Sequence, residues 1–208
     1  MKHKFVLILF LMTLLGSGVW VHCHGLINVK EFLPEKLKPA SLTFSREHLD
    51  SMVKFAKKEN YNSSLGIFIN FKRHSGTERF FLVNLETGNI IVSGLCCHGH
   101  GGEWIDENVR FANIPGSSCS SEGFYKIGQK YVGRFGTSYK LHGLCATNCN
   151  AFERFVVLHA HDCVPTSTVA YSICESEGCP TLAPEVLRKL IPYLDESEKP
   201  VVMWIYKY

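Results

Sequence analysis

"RFFLVNLETGNIIVSGLCC", residues 79–97, decides the fold class. Phe80 to Val83 and Ile90 to Val92 are runs of aromatic and branched residues, the side chains that pack best on a pleated surface. Between them "ETGN" (86–89) is a polar break with a glycine, which reads as a tight turn joining two antiparallel strands. Upstream, "GIFINFKR" (66–73) supplies a third strand, so a β-meander is expected. Further short strands are expected at "YKIGQKYVG" (125–133), "YKLHGLC" (139–145), "RFVVLHA" (154–160) and "VVMWIYKY" (201–208).

Two segments carry the helical period instead. After Ser45, a plausible N-cap, Leu49, Met52, Val53 and Ala56 share one face of a helix ending near Asn60. Val186, Leu187, Leu190 and Ile191 do the same between Pro184 and Leu194. The fold class expected is mainly β, sheet folded on sheet, with flanking helices.

The chain has 208 residues, enough to bury a sizeable core in one domain. Its net charge of +3 is small, and the basic residues form no stripe interleaved with aromatics, so nucleic acid is excluded as a partner. Lys2 and Lys4 precede an apolar run from Phe5 to Leu15, followed by Gly16, Ser17 and Gly18. The run is shorter than the roughly 20 residues that span a bilayer, so residues 1–24 read as a cleaved secretory signal, with an uncleaved anchor as the alternative. Membrane contact is expected only through that segment. Residues 25–62 then form an arm and helix, and 63–208 the main domain.

Nine cysteines in an exported chain suggest disulfides, but the count alone does not say which thiol is free. "ESEGCPTL" (175–182) holds Cys179 in a turn-like setting, where it reads as a disulfide partner, a metal ligand or a nucleophile. A nucleophilic thiol needs a base nearby and backbone donors aimed at the developing oxyanion. Ser176, Gly178 and Cys179 fit that need, because the glycine permits a sharp turn. His159, at the end of a hydrophobic strand in "RFVVLHAHD" (154–162), is the candidate base, with His161 next. A structural turn with a buried or bridged cysteine fits the same residues.

Four blocks in order resemble the YkuD-type murein L,D-transpeptidase catalytic family, in the branch whose last motif ends in GCP. They are "LVNLETGNIIVSGLCCHGHGG" (82–102), "RFANIPGSSCSSEGFYKIGQKYVGRFGTSYKLHGL" (110–144), "ERFVVLHAHD" (153–162) and "SEGCPTL" (176–182). The resemblance implies a β-sandwich catalytic domain with Cys179 as nucleophile and His159 as general base. Ser176 would support the turn, and backbone amides around Gly178 and Cys179 would form the oxyanion hole. His98 and Gly99 match a histidine-glycine pair near the cleft. Together with Asn113, Ser121 and Tyr125 they are the substrate-contact candidates, and Ser120 and Gly123 lie in the same serine-rich block. The implied partner is a peptidoglycan stem peptide, cleaved before its terminal D-alanine through a thioester that an amine or water then resolves. No metal or other cofactor is called for. A zinc site from Cys96, Cys97, His98 and His100 is disfavoured, because adjacent cysteines suit one tetrahedral ion poorly.

The chain departs from the family where Glu175 stands in place of an arginine, Cys174 in place of a glycine, and Ala160 in place of the glycine after the histidine. An acid at 175 is expected to repel a substrate carboxylate. Cys145 with Cys149, and Cys163 with Cys174, are candidate disulfides. A disulfide-stapled, catalytically weakened cell-wall-binding or structural domain of the same ancestry is the competing function. A thiol hydrolase of another amide is the third.

Overall fold

The structure, a computed structural model, describes residues 44–102 and 108–208. The expected signal and most of the arm lie outside the described residues. The elements in chain order are α1 (Arg46–Lys58), β1 (Leu65–Asn70), β2 (Phe80–Asn84), β3 (Ile90–Gly94), β4 (Cys96–Cys97), β5 (Gly123–Gly133), β6 (Gly136–Gly143), β7 (Val157–Ala160), β8 (Thr181–Leu182), α2 (Pro184–Asp195) and β9 (Val202–Tyr206). The mainly β class with two helices is as expected. The expected layering takes the form of one hydrogen-bonded sheet, in the order β3-β2-β1-β9-β5-β6-β7-β8-β4. Its two edge strands, β3 and β4, are separated in sequence only by Leu95, so the sheet curls until its edges nearly meet.

Alternating side chains divide the apolar residues of this sheet between two cores. Ile67 and Ile69 of β1, Leu82 of β2, Leu141 of β6, Leu158 of β7 and Met203 of β9 join Val186, Leu187 and Leu190 of α2 in the first. Phe68, Phe81, Phe124, Trp204 and Tyr206 face the other way, onto Leu49, Met52 and Phe55 of α1. Phe55 stacks on Phe124 with ring centroids 4.2 Å apart. Strands buried on both faces explain why "GIFIN" and "VMWIY" show no polar alternation.

The α1 helix starts where Ser45 caps it. The His48 amide donates to Ser45 Oγ at 3.3 Å and the Ser45 amide donates to His48 Nδ1 at 3.0 Å. His48 is therefore both cap and core residue, 3 % exposed and stacked on Tyr206 at 4.7 Å.

What positions the site is the β6-β7-β8-β4 end of the sheet. Ser138 pairs with His159, His159 with Thr181, and Thr181 with Cys97, so these four residues lie abreast across four strands. β7 and β8 are parallel, and the connection between them carries Cys179 at its far end. A disulfide between Cys163 and Cys174 staples that connection, as expected. The expected Cys145–Cys149 pair does not form. Cys145 is a buried free thiol accepting the Phe124 amide at 3.1 Å, and Cys149 is disulfide-bonded to another partner.

Candidate active site

The turn that presents Cys179 is built by Ser176 and Gly178. Ser176 Oγ donates to the Cys179 carbonyl at 2.7 Å and accepts the Gly178 amide at 3.2 Å. Gly178 sits at φ +116, and a Cβ there would lie 2.7 Å from the Cys119 carbonyl oxygen, so only glycine fits. Ser120 Oγ ties the turn to the neighbouring segment, accepting the Gly99 amide at 3.0 Å and donating to the Gly178 carbonyl at 3.1 Å. The Gly178 amide, expected in the oxyanion hole, is thus committed to Ser176.

Cys179 is a free thiol. Its Sγ accepts the Val157 amide at 3.4 Å. Burial pushes its pKa above the ordinary thiol value and the nearby Glu177 adds to this, while the Val157 amide and the Arg154 guanidinium oppose it. Arg154 braces the region by donating to the carbonyls of Ala112 (2.9 Å) and Cys119 (2.6 Å) and to Ser121 Oγ (3.0 Å).

His159 is buried on β7. Its Nδ1 lies 3.1 Å from the Ala160 carbonyl, which can only accept, so Nδ1 carries the proton and Nε2 holds the lone pair. The Thr181 hydroxyl lies 3.0 Å from that Nε2 and 3.2 Å from the Cys179 carbonyl, two acceptors for one proton. Burial lowers the His159 pKa, and His161 lowers it further, against the Ala160 hydrogen bond. Phe135, at the tip of the β5–β6 hairpin, stacks on the imidazole at 4.2 Å.

Cys179, His159, Ser176 and Thr181 line one cavity of about 330 Å³, together with Phe135 and Glu175. Thiol and imidazole share this cavity without a hydrogen bond between them; Thr181 lies against Nε2, and the Val157 amide donates to the sulfur.

The substrate-contact candidates fall in two groups. His98 and Gly99 lie beside the Cys179 turn, though neither lines the cavity; Gly99 bridges Ser176 and the Ser176 amide donates to the His98 carbonyl at 2.8 Å. Ser121, Tyr125 and Asn113 do not line the cavity. Tyr125 is fully buried, with its hydroxyl donating to the Ser121 carbonyl at 2.6 Å. Asn113 holds the 146–150 loop, donating to the Ala146 carbonyl at 3.1 Å and accepting the Asn150 amide at 3.1 Å. The side chains of all three are engaged with their own framework.

Glu175 does not project as a free acid. It lies 3.4 Å from His98 Nε2, with both side chains 3 % exposed. Arg79, buried and a donor only, meets His98 Nδ1 at 2.8 Å, so Nδ1 accepts and Nε2–H points its proton at Glu175. Arg79, His98 and Glu175 form a buried relay in which the acid is balanced from within. The zinc donors are similarly dispersed: Cys97 faces Cys174 at 3.4 Å, His98 faces Arg79, and His100 faces Glu177 at 3.1 Å.

Phe135 and Thr181 escaped sequence reasoning. Thr181 lies inside the "GCPTL" block, but only strand register puts it opposite His159. Phe135 sits in "GRFG", a glycine-flanked pair at a hairpin tip that reads as a surface turn.

The family model described as the L,D-transpeptidase catalytic domain matches residues 36–206. Among solved structures, an L,D-transpeptidase from Mycobacterium smegmatis is similar at 10 % identity and a TM-score of 0.42, covering 69 % of this chain and 58 % of that one. The helical cell shape determining protein Pgp2 from Campylobacter jejuni is similar at 15 % identity and a TM-score of 0.43, covering 78 % of this chain and 56 % of that one. The chain thus spans little more than half the length of these structures. No curated protein matches.

Proposed function

Because the chain belongs to the L,D-transpeptidase catalytic domain family, we propose that it is a cysteine acyltransferase of the cell envelope acting on peptidoglycan stem peptides. Family membership supports a murein-related, transpeptidase-like role. The thioester mechanism, export and the exchange of D-alanine are the reading's own. The observation that carries it is the unbridged Cys179 thiol on the wall of the cavity that also holds His159.

In this reading the Thr181 hydroxyl turns fully to the Cys179 carbonyl and frees the Nε2 lone pair. His159 takes the thiol proton as Sγ attacks the carbonyl of the third stem residue. The tetrahedral intermediate collapses to a thioester, and the imidazolium returns its proton to the departing D-alanine amine. An amine from a second stem, or water, then attacks the thioester, with His159 again as base. Raised thiol and lowered imidazole pKa values favour a neutral pair, so proton transfer accompanies attack and no thiolate is stored beforehand.

Among the described residues no helix is long and apolar enough to cross a membrane. The basic and apolar start of the chain supports export to the periplasm or envelope.

The test is intact mass spectrometry of the protein incubated with a stem tetrapeptide. Expected are release of D-alanine and an adduct on Cys179, with neither in Cys179→Ala. The second reading, a stapled domain without catalysis, draws on the missing thiol–imidazole hydrogen bond. It predicts an unmodified protein at every time point, an outcome that would end the enzyme reading.

A further inference from the structure

A second groove, of about 540 Å³, opens beside the catalytic cavity and shares Arg134, Phe135 and His161 with it. Its far wall is the start of α2, including Pro184, Leu187 and Arg188. The two spaces therefore adjoin, with Cys179 in one and the start of the helix walling the other.

The acids beside Cys179, Glu175 and Glu177, are matched by His98 and His100. Arg134 stands where the two spaces meet and Arg188 at the far wall, against the single carboxylate of Asp162. Among the described residues neither guanidinium has a hydrogen-bond or ion-pair partner, whereas Glu185 beside Arg188 is paired with Lys189 at 2.7 Å. Arg134 is also held in place, with its guanidinium 5.3 Å from the Phe135 ring centroid and Phe135 in turn stacked on His159. His161 adds a donor, since its Nδ1 accepts the Cys163 amide at 3.1 Å and its Nε2 is left carrying the proton. A planar guanidinium with free donors, packed over an aromatic ring, is the arrangement that captures a carboxylate in two-pronged fashion.

We propose that Arg134 and Arg188, assisted by His161, form the subsite that binds a carboxylate of the donor peptide and so sets its position before attack. This rests on the acyl-transfer reading above. Arg134 and Arg188 bind and position the peptide, whereas Cys179 and His159 carry out the proton transfers.

Three probes separate the sources of the carboxylate: the stem tetrapeptide, its form amidated at the terminal D-alanine, and its form amidated at the side chain of the third residue. Their binding is measured by calorimetry to the Cys179→Ala protein, and D-alanine release is measured with the wild type. One amidated form is expected to bind about 3- to 10-fold more weakly than the free acid, the range for a charge-assisted contact partly exposed to water. Arg134→Gln and Arg188→Gln should weaken the acid by a similar factor, raise KM with little change in kcat, and leave that amidated form unaffected. Equal binding of all three probes, or no binding of any, overturns the subsite. Carboxylate-dependent binding with no D-alanine release from the wild type keeps the subsite and overturns the acyl-transfer reading.

Discussion

At Cys179 and His159, burial acts on both partners in the direction of neutrality. A thiol held above its ordinary pKa gains reactivity as pH rises, about tenfold per unit until it ionises. Alkylation of Cys179 by iodoacetamide should therefore climb from neutral into the alkaline range, and a plateau already reached at neutral pH would contradict this. An imidazole held below its ordinary value stays base-competent in mild acid, so the acidic limb of kcat/KM should fall below the usual imidazole range. Gly178→Ala is expected to be more damaging than a methyl group suggests. It forces a left-handed backbone on alanine and a 2.7 Å approach to the Cys119 carbonyl, costing on the order of 1–3 kcal/mol and displacing the catalytic turn. A lower Tm together with slowed acylation checks it. That Cys179 and His159 share one cavity, with Gly178 in the turn beside them, agrees with their nomination from the "SEGCPTL" and "ERFVVLHAHD" blocks. Thr181 was not legible in the sequence, because a threonine says nothing until register sets it beside an imidazole. The pairing of Glu175 with His98 was likewise hidden, since the two stand on segments far apart in the chain.

Among the elements, α1 responds to pH and the connection between β7 and β8 to oxidation. His48 is buried neutral, its pKa lowered to about 4 by desolvation. The unfolded chain binds the proton more readily, so stability falls as pH drops through the ordinary imidazole range and keeps falling until about 4. The loss amounts to roughly 3 kcal/mol, developed at and below that lower limit. Denaturant melts from neutral to acidic pH should record it, and His48→Gln should lessen the slope. In the β7–β8 connection, Cys97 Sγ waits 3.4 Å from Cys174. Cys163→Ala should accordingly yield a Cys97–Cys174 bridge under oxidising conditions, seen by peptide mapping. Recovery of both as free thiols would refute it. The exchange should be slow, because burial holds the Cys97 thiol up at about 12. Both helices and the longer strands were readable from period and turn residues. β4 and β8, with two residues each, were not, because no periodicity fits in so short a run and only the partner strands define them.

Over the whole molecule, mainly β content was legible, whereas the continuity of the sheet was not. "VVMWIYKY" reads as a strand but gives no hint that β9 lies in the middle, parallel to β1 on one side and antiparallel to β5 on the other. Its side chains also serve both cores: Met203 and Ile205 in one, Val202, Trp204 and Tyr206 in the other. Among the described strands β9 is thus the keystone of the assembly. Without it the sheet would fall into two half-sheets with open borders and unfilled interiors. A chain with β9 deleted is accordingly expected to present two adhesive seams, and degradation or aggregation is its expected fate.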